Sequence, residues 1–203
     1  MIRLHGTPKS RTLRCIWAAE EAGLPYEIVP VDAMRGAKSA EHLKVNPNGK
    51  VPAMEDGALV LFESLAINLH LAAKAGPPLM PGGDDASRVL QWTLWAATEV
   101  EPAAMQWAYN SYIRPPAERD PGQAAAGKAG LDARLDVLEE HLKGRDFLLG
   151  PVFTIADCNL AGVLYGAWAN NYDWGGHVRV KAWMDRCMNR PAALKARALR
   201  EAA

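Results

Sequence analysis

The sequence lacks a surplus of charge of either sign, with 23 Lys and Arg residues against 23 Asp and Glu residues in a chain of 203. Without a basic excess or a run of Lys and Arg, nothing is available to hold a phosphate backbone, so nucleic acid is not an expected partner. No stretch is apolar enough to span a bilayer, and the start of the chain lacks the long apolar region of a signal peptide. A membrane partner is therefore not expected either.

Cysteine is also scarce. Cys15, Cys158 and Cys187 form an odd, scattered set and not a disulfide framework, which predicts a reducing, cytoplasmic location. The five histidines show no metal-ligand spacing and no cysteine pairs accompany them, so we expect no metal. A glycine-rich phosphate loop is missing as well.

What the sequence does contain is a pattern of strands and helices that changes partway along the chain. In the first part, strands are predicted at residues 2–5, 26–31, 51–54 and 59–62, with helices at 10–22 and 63–75. A helix between the first two strands implies a parallel β-α-β unit, and Asp56-Gly57 indicates a hairpin between the last two. The segment at 34–48 is more polar and holds at most a short helix.

A cluster of proline and glycine interrupts this pattern, and only helices follow it. The predicted helices are 86–113, interrupted by Pro102, then 124–142, 154–169, 178–188 and 192–202. Pro102 either kinks its helix or is simply tolerated there. The predicted organisation is an α/β domain over 1–76, a linker over 77–85 and an all-α domain over 86–203.

Three short segments of the first domain carry groups suited to a peptide-like ligand. A cis Val51-Pro52 bond would turn the backbone of Val51 toward an extended peptide, although an ordinary trans proline is far more frequent. Glu63 and Ser64 begin a helix, where N–H groups suit a carboxylate and Glu63 suits an ammonium; a plain first turn is the alternative. The Ser10 hydroxyl, near the first helix start, could donate to a thiolate or cap the helix.

In this order, these residues resemble the glutathione S-transferase family, of the cytosolic, serine-using, bacterial-like type. The resemblance is carried by residues 4–14, 20–27, 46–53 and 61–67. In the second half, residues 154–157 are similar to the capping box of the family's buried helix. There Thr154 caps the helix and Asp157 reaches back to the cap N–H, so both are expected to be folding determinants.

The resemblance implies a thioredoxin-like N-terminal domain that holds glutathione. Ser10 would then stabilise the glutathione thiolate, with Thr12 as the alternative hydroxyl donor. Val51 would pair through its backbone with the cysteinyl part, and Pro52 would be cis. These roles follow from the family likeness and not from spacing.

The same resemblance assigns the two ends of glutathione. Glu63 and Ser64 would bind the γ-glutamyl group, while Lys50, helped by Lys38, would meet the glycyl carboxylate. Some serine-using members have a histidine one position before the residue that matches Lys38, and this chain has Ala37 there. That departure weakens the expected glycyl contact.

The implied function is a glutathione transferase of detoxification that activates the thiol for attack on a hydrophobic electrophile, as a homodimer. A glutathione-dependent disulfide reductase or peroxidase, or a non-catalytic binding protein, is the alternative. Four residues of the helical domain could line the pocket for the electrophile, with ordinary core packing the favoured alternative: Met105, Tyr109, Tyr112 and Trp168. Cys15 is offset from the active-site cysteine of some members and is expected to pack in the core.

Overall fold

A four-stranded mixed sheet organises the N-terminal part of the chain, and the computed structural model describes every residue from Met1 to Ala203. In spatial order the sheet is β2-β1-β3-β4; β1 is parallel to β2 and antiparallel to β3, which is antiparallel to β4. Leu4 in the centre is fully buried, opposite Ile28 and Met54. The strands are β1 (Ile2–His5), β2 (Tyr26–Val29), β3 (Ala53–Asp56) and β4 (Leu59–Phe62).

The predicted strands occur, but two of them have different ends. β2 stops at Val29 because Pro30 follows and has no N–H for the ladder. β3 begins at Ala53 and not at the predicted residue 51, since Pro52 likewise cannot donate. Residues 51 and 52 therefore lie outside the ladder, just before the start of the interior strand β3.

Four helices accompany this sheet: α1 (Thr12–Glu21), α2 (Ala40–Val45), α3 (Ser64–Ala75) and α9 (Pro191–Ala202). A single 3-10 turn at Gly36–Lys38 precedes α2. Residues 12–19 of α1 are all buried, because this helix packs against both α3 and α9. Cys15 is fully buried among them, as is expected for a core cysteine.

The structure differs from the predicted division of the chain at the C-terminus. One compact unit consists of Met1–Gly82 together with Asn189–Ala203, and the other of Gly83–Met188. The last helix was predicted to belong to the helical domain, but α9 packs on α1 within the first unit. Arg190 makes two 2.7 Å bonds to the Glu21 carboxylate, and Lys195 lies 2.7 Å from Glu20.

The second unit is entirely helical. Its first helix begins at Asp84, inside the segment predicted as linker. The predicted helix over 86–113 is divided by π-helical turns at Ala96–Val100 and Tyr109–Ile113, and Pro102, which has no N–H to donate, lies directly after the first of these turns. The helices are α4 (Asp84–Trp95), α5 (Glu101–Ala108), α6 (Pro121–His141), α7 (Ile155–Ala169) and α8 (Val178–Met188). No helix of either unit has the length and apolar character needed to cross a membrane.

The buried helix α7 begins with the predicted capping box. Asp157 is completely buried and accepts hydrogen bonds from the N–H of Thr154 at 2.9 Å and of Leu148 at 2.8 Å. The indole of Trp183, from α8, also donates to it at 3.0 Å. Burial raises the pKa of the Asp157 carboxyl, and these donors act against the rise. Asp157 thus ties a loop and two helices together, which confirms the capping box expected from the sequence.

Candidate active site

Two hydroxyl groups lie in contact in the turn between β1 and α1. The Ser10 and Thr12 side-chain oxygens are 2.8 Å apart, and the Thr12 N–H donates to Ser10 Oγ at 3.2 Å. Ser10 also donates to the Thr7 carbonyl at 2.8 Å. The Thr12 side chain is fully buried, whereas Ser10 is half-buried. Of the two candidate donors, only Ser10 therefore reaches the surface.

Gly6 brings this hydroxyl pair against the start of β3. Its φ is +137°, and a Cβ added there would lie 2.0 Å from Thr12 Oγ1 and 3.2 Å from Val51 Cβ. Only a glycine leaves room for both neighbours, because any side chain would displace one of them. The candidate thiol activators and the candidate backbone clamp are thus adjacent in space although about forty residues apart in sequence.

The Val51–Pro52 peptide bond is cis, as the family resemblance implied and against the bias toward trans from the residues alone. The carbonyl just before it, that of Lys50, accepts two hydrogen bonds of 2.8 Å, from His42 Nε2 and Asn46 Nδ2. Both donors are buried, at 3% and 2% exposure. Two side chains that the sequence analysis did not select therefore fix the direction of the Lys50–Pro52 segment. The loop signature at Asn46 was a signal for one of them, and His42 had none.

Glu63 and Ser64 occupy the N-terminus of α3. Glu63 has φ of +72° and ψ of +111°, an uncommon backbone conformation for a residue with a side chain, and strain of that kind concentrates at ligand sites. Glu63 is exposed and Ser64 is buried. The guanidinium of the buried Arg14, on α1, donates to Ser64 Oγ at 3.4 Å. Its positive charge adds to the positive end of the helix dipole, so this helix start favours an anion.

Cys15 lies beside these residues but has the wrong character for a reactive thiol. Its sulfur donates to the Ser64 carbonyl at 3.6 Å, and burial raises its pKa far above the ordinary thiol value. A thiolate is the reactive form, so Cys15 remains a neutral packing residue.

Two exposed cations lie at the loop before Val51. Lys38 Nζ is 3.4 Å from the Asn48 carbonyl, and the Lys38 side chain crosses Gly49 so closely that a Cβ there would be 2.8 Å from Nζ. Lys50 is exposed in the same loop. Ala37, in contrast, is fully buried and presents no group to a ligand. A carboxylate at this loop would meet two lysines.

The four residues predicted for an electrophile pocket lie in several settings within the helical unit. Tyr109 is exposed, with the Arg114 guanidinium 5.7 Å from its ring centre. Tyr112 packs against Trp107 and approaches Gly166 on α7, where a Cβ would be 2.6 Å from its hydroxyl. The Trp168 indole donates to Asp185 on α8 at 2.8 Å. Met105 is half-buried on α5. Their role at a pocket stays a prediction.

No three His, Cys, Asp or Glu side chains lie together in a way that could hold a metal ion. The first family model that matches, over residues 1–73, is that of the glutathione S-transferase N-terminal domain, and the C-terminal domain model of the same family matches residues 100–191. The chain belongs to the glutathione S-transferase family. Its predicted fold class, a thioredoxin-like domain followed by a helical domain, is thereby confirmed.

Known glutathione S-transferases match nearly the whole chain. Glutathione S-transferase 3 from Zea mays is 36% identical over 96% of this chain and 92% of the maize protein. The structure of glutathione S-transferase I from maize with an atrazine glutathione conjugate is 34% identical, with a TM-score of 0.89 and 98% of each chain covered. The theta class glutathione S-transferase of Xanthomonas axonopodis pv. citri, with glutathione bound, is 30% identical, with a TM-score of 0.89 and 96% of each chain covered. These likenesses confirm the prediction of an enzyme with glutathione transferase activity.

Proposed function

We propose that this chain binds glutathione at the end of its sheet where β3 begins, lowers the pKa of the glutathione thiol with Ser10, and directs the thiolate at a hydrophobic electrophile. The observation that carries this proposal is the contact through Gly6, which sets the Ser10–Thr12 hydroxyl pair beside Val51. A cysteinyl residue paired with the backbone of Val51 has its sulfur next to the one hydroxyl that reaches the surface.

The groups around this point suit the rest of glutathione. The start of α3, with Ser64 and the buried Arg14, suits the γ-glutamyl carboxylate, while the exposed Glu63 suits its ammonium. Lys38 and Lys50 suit the glycyl carboxylate at the other end. The positive and negative groups follow the charges along the tripeptide, and this order supports glutathione as co-substrate.

Thiol activation needs only a modest free energy. A free thiol titrates near ~8.5, and lowering its pKa by about two units corresponds to about 2.7 kcal/mol. A hydrogen bond to a charged acceptor contributes roughly 1.5–3 kcal/mol, and the start of α1 adds a positive dipole end. One serine hydroxyl at this position is therefore sufficient in magnitude. The thiol proton leaves to water, and the thiolate forms the new carbon–sulfur bond while the leaving group of the electrophile, chloride in a chloronitrobenzene, departs with the electron pair of its bond to carbon.

Transfer to an electrophile is favoured over disulfide reduction or peroxide removal at the same site. The structure of the maize enzyme holds an atrazine glutathione conjugate, and a conjugate is the kind of product that transfer gives. In this chain the nearest protein thiol, Cys15, is buried with a raised pKa, so it offers no second sulfur for a reductase cycle. We assign the electrophile to the helical unit, where Met105, Tyr109, Tyr112 and Trp168 remain the candidate lining residues.

A homodimer in the cytoplasm is part of the proposal. Leu90 and Leu94 lie one turn apart on α4 and are 46% and 62% exposed, an apolar pair that a second copy could cover. The three cysteines are all free, and this supports the reducing cytoplasm as the location. Sedimentation equilibrium should give the mass of two chains, and Leu94→Glu should lower it to one; a wild-type protein that sediments as a single chain would contradict the dimer.

The catalytic proposal is tested by comparing the wild type with Ser10→Ala on a chloronitrobenzene-type substrate. We expect the variant to keep its binding to immobilised glutathione but to lose roughly tenfold or more in kcat/KM near neutral pH, because its thiol stays protonated. Ser87→Ala, which removes an exposed hydroxyl from α4, is the matched control and should behave as wild type. An unchanged rate in Ser10→Ala would remove Ser10 from its role.

A further inference from the structure

The two hydroxyl groups at the start of α1 differ in what they can offer a ligand. Each hydroxyl has one hydrogen to donate and two lone pairs to accept with. Thr12 Oγ1 has two oxygen neighbours, Ser10 Oγ at 2.8 Å and the His5 carbonyl at 3.5 Å. The first distance is typical of an O–H···O bond and the second is too long for a good one. The Thr12 hydrogen therefore points at Ser10.

Ser10 Oγ then accepts two hydrogen bonds from the same residue. The Thr12 hydroxyl donates at 2.8 Å and the Thr12 N–H donates at 3.2 Å, so both lone pairs of Ser10 Oγ are occupied. The Ser10 hydroxyl donates its own hydrogen to the Thr7 carbonyl at 2.8 Å, and this O–H is the only group of the pair that is free to turn. Ser10 can donate to a ligand but has no lone pair left to accept from one.

We propose that Thr12 is a positioning residue that makes Ser10 a donor only, so that the site prefers a thiolate over a thiol. A thiolate accepts the Ser10 hydrogen, which swings from Thr7 to the sulfur. A neutral thiol would need an acceptor for its S–H and finds the Ser10 lone pairs occupied. The inference rests on the proposed function of Ser10. It gives Thr12 a positioning role in place of the role of alternative donor, because the buried Thr12 hydroxyl is turned to Ser10.

The hydrogen bond from Thr12 also strengthens the one that Ser10 donates. A hydroxyl that accepts hydrogen bonds is polarised and becomes a better donor, and the effect is larger where water is excluded. The Thr12 side chain is 0% exposed. Both effects, the occupied lone pairs and the polarised O–H, favour the charged form of the sulfur and lower its pKa.

The test measures kcat/KM for glutathione against pH in four variants: Thr12→Val, Thr12→Ser, Ser10→Ala and the double variant Ser10→Ala with Thr12→Val. Valine keeps the volume of threonine and removes the hydroxyl. We expect Thr12→Val to move the midpoint of the profile up by as much as about one unit, a loss of roughly tenfold at neutral pH that disappears in alkali. Thr12→Ser should stay within about twofold of wild type, since it keeps the O–H.

The double variant decides whether Thr12 acts through Ser10. We expect it to match Ser10→Ala alone, because a positioning residue has no effect once the group it positions is gone. Should Thr12→Val not fold, Thr12→Ala removes the same hydroxyl and carries the same expectation.

Three results would overturn the inference. A Thr12→Val effect as large as that of Ser10→Ala, and additive with it, would mean that Thr12 contacts the sulfur directly. A lower melting temperature with an unmoved pH midpoint would mean that Thr12 only supports the fold. A Thr12→Ser variant as impaired as Thr12→Val would mean that the methyl group matters and not the hydroxyl. If Ser10→Ala itself leaves the midpoint unmoved, the proposed function fails as well, and that outcome is recognised without any Thr12 variant.

Discussion

Gly6 determines, at the scale of single residues, whether the candidate thiol activators and the peptide clamp can be neighbours. It lies between Thr12 and Val51 in a backbone conformation that side chains rarely adopt. A methyl group there would have to displace the Thr12 hydroxyl, which holds Ser10. The geometry of the site thus depends on a residue that makes no contact with a ligand through a side chain.

Replacing Gly6 by alanine should therefore impair activity beyond its effect on folding. We expect Gly6→Ala to lower kcat/KM by at least about tenfold, or about 1.4 kcal/mol of barrier, because the new Cβ collides with Thr12 Oγ1. Initial rates with saturating electrophile and varied glutathione provide the measurement.

Gly57→Ala is the matched control for this prediction. Gly57 also has a positive φ, of +63°, but a Cβ there meets nothing within 4 Å. Both variants carry the backbone penalty of alanine at positive φ, and only Gly6→Ala carries the collision. Equal activity in the two variants would show that the contact with Thr12 has no role.

Sequence motifs located the residues of the site that lie within short segments, and missed those that act across the fold. Ser10, Glu63 and Ser64 were selected because each has a local signature. Arg14 was missed because its partner, Ser64, lies 50 residues away, and a buried cation on a helix has no mark in the sequence. His42 was missed for the same reason, since its bond to the Lys50 carbonyl exists only after α2 folds over the loop.

At the scale of elements, Asp157 anchors the buried helix α7. Four donor contacts converge on its carboxylate, from Leu148, Trp183 and both the N–H and hydroxyl of Thr154. A carboxylate is the only common side chain that accepts all of them at once. Removing it leaves several buried donors without a partner, each of which costs about 1–3 kcal/mol.

We accordingly expect Asp157→Ala to lower the free energy of unfolding by about 3 kcal/mol or more, measured by urea denaturation. Asp157→Asn should lower it less, because the amide keeps one acceptor oxygen. Asp85→Asn, at a half-exposed carboxylate on α4 of the same unit, is the control and should change stability by less than about 0.5 kcal/mol. Full stability in Asp157→Ala would contradict the anchoring role. In the folded variant we expect glutathione binding to be unchanged whichever result is found.

The element boundaries show which physical signals the sequence carried. Strand and helix cores followed the apolar periodicity, and the predicted capping box is present. β3 begins two residues later than predicted because Pro52 cannot donate to the ladder. Of the two π-helical turns around α5, the first lies directly before Pro102, whereas the second has no such mark in the sequence.

At the scale of the whole molecule, the last helix of the chain packs with the N-terminal residues. The helix α9 joins the first unit through Arg190 and Lys195, which pair with two adjacent glutamates at the end of α1. Arg200 also donates to the Pro8 carbonyl at 3.1 Å, in the turn that precedes Ser10. The last helix therefore supports the element that carries the proposed thiol activator.

The packing of α9 in the first unit could not be predicted from the sequence. Arg190 and Glu21 are separated by 169 residues, and a helix with a polar and an apolar face fits the core of either unit equally well. The net charge of zero also hides local charges near the proposed site, which are two lysines in the loop before Val51 and an arginine and a glutamate at the start of α3.

The most direct test of the account is the pKa of the glutathione thiol in the complex, followed by the ultraviolet absorbance of the thiolate as pH is varied. The account predicts a bound thiol about two units more acidic than the free one at ~8.5, and a return most of the way to that value in Ser10→Ala. A bound thiol that titrates where free glutathione does, under conditions where the tripeptide saturates the protein, would contradict it.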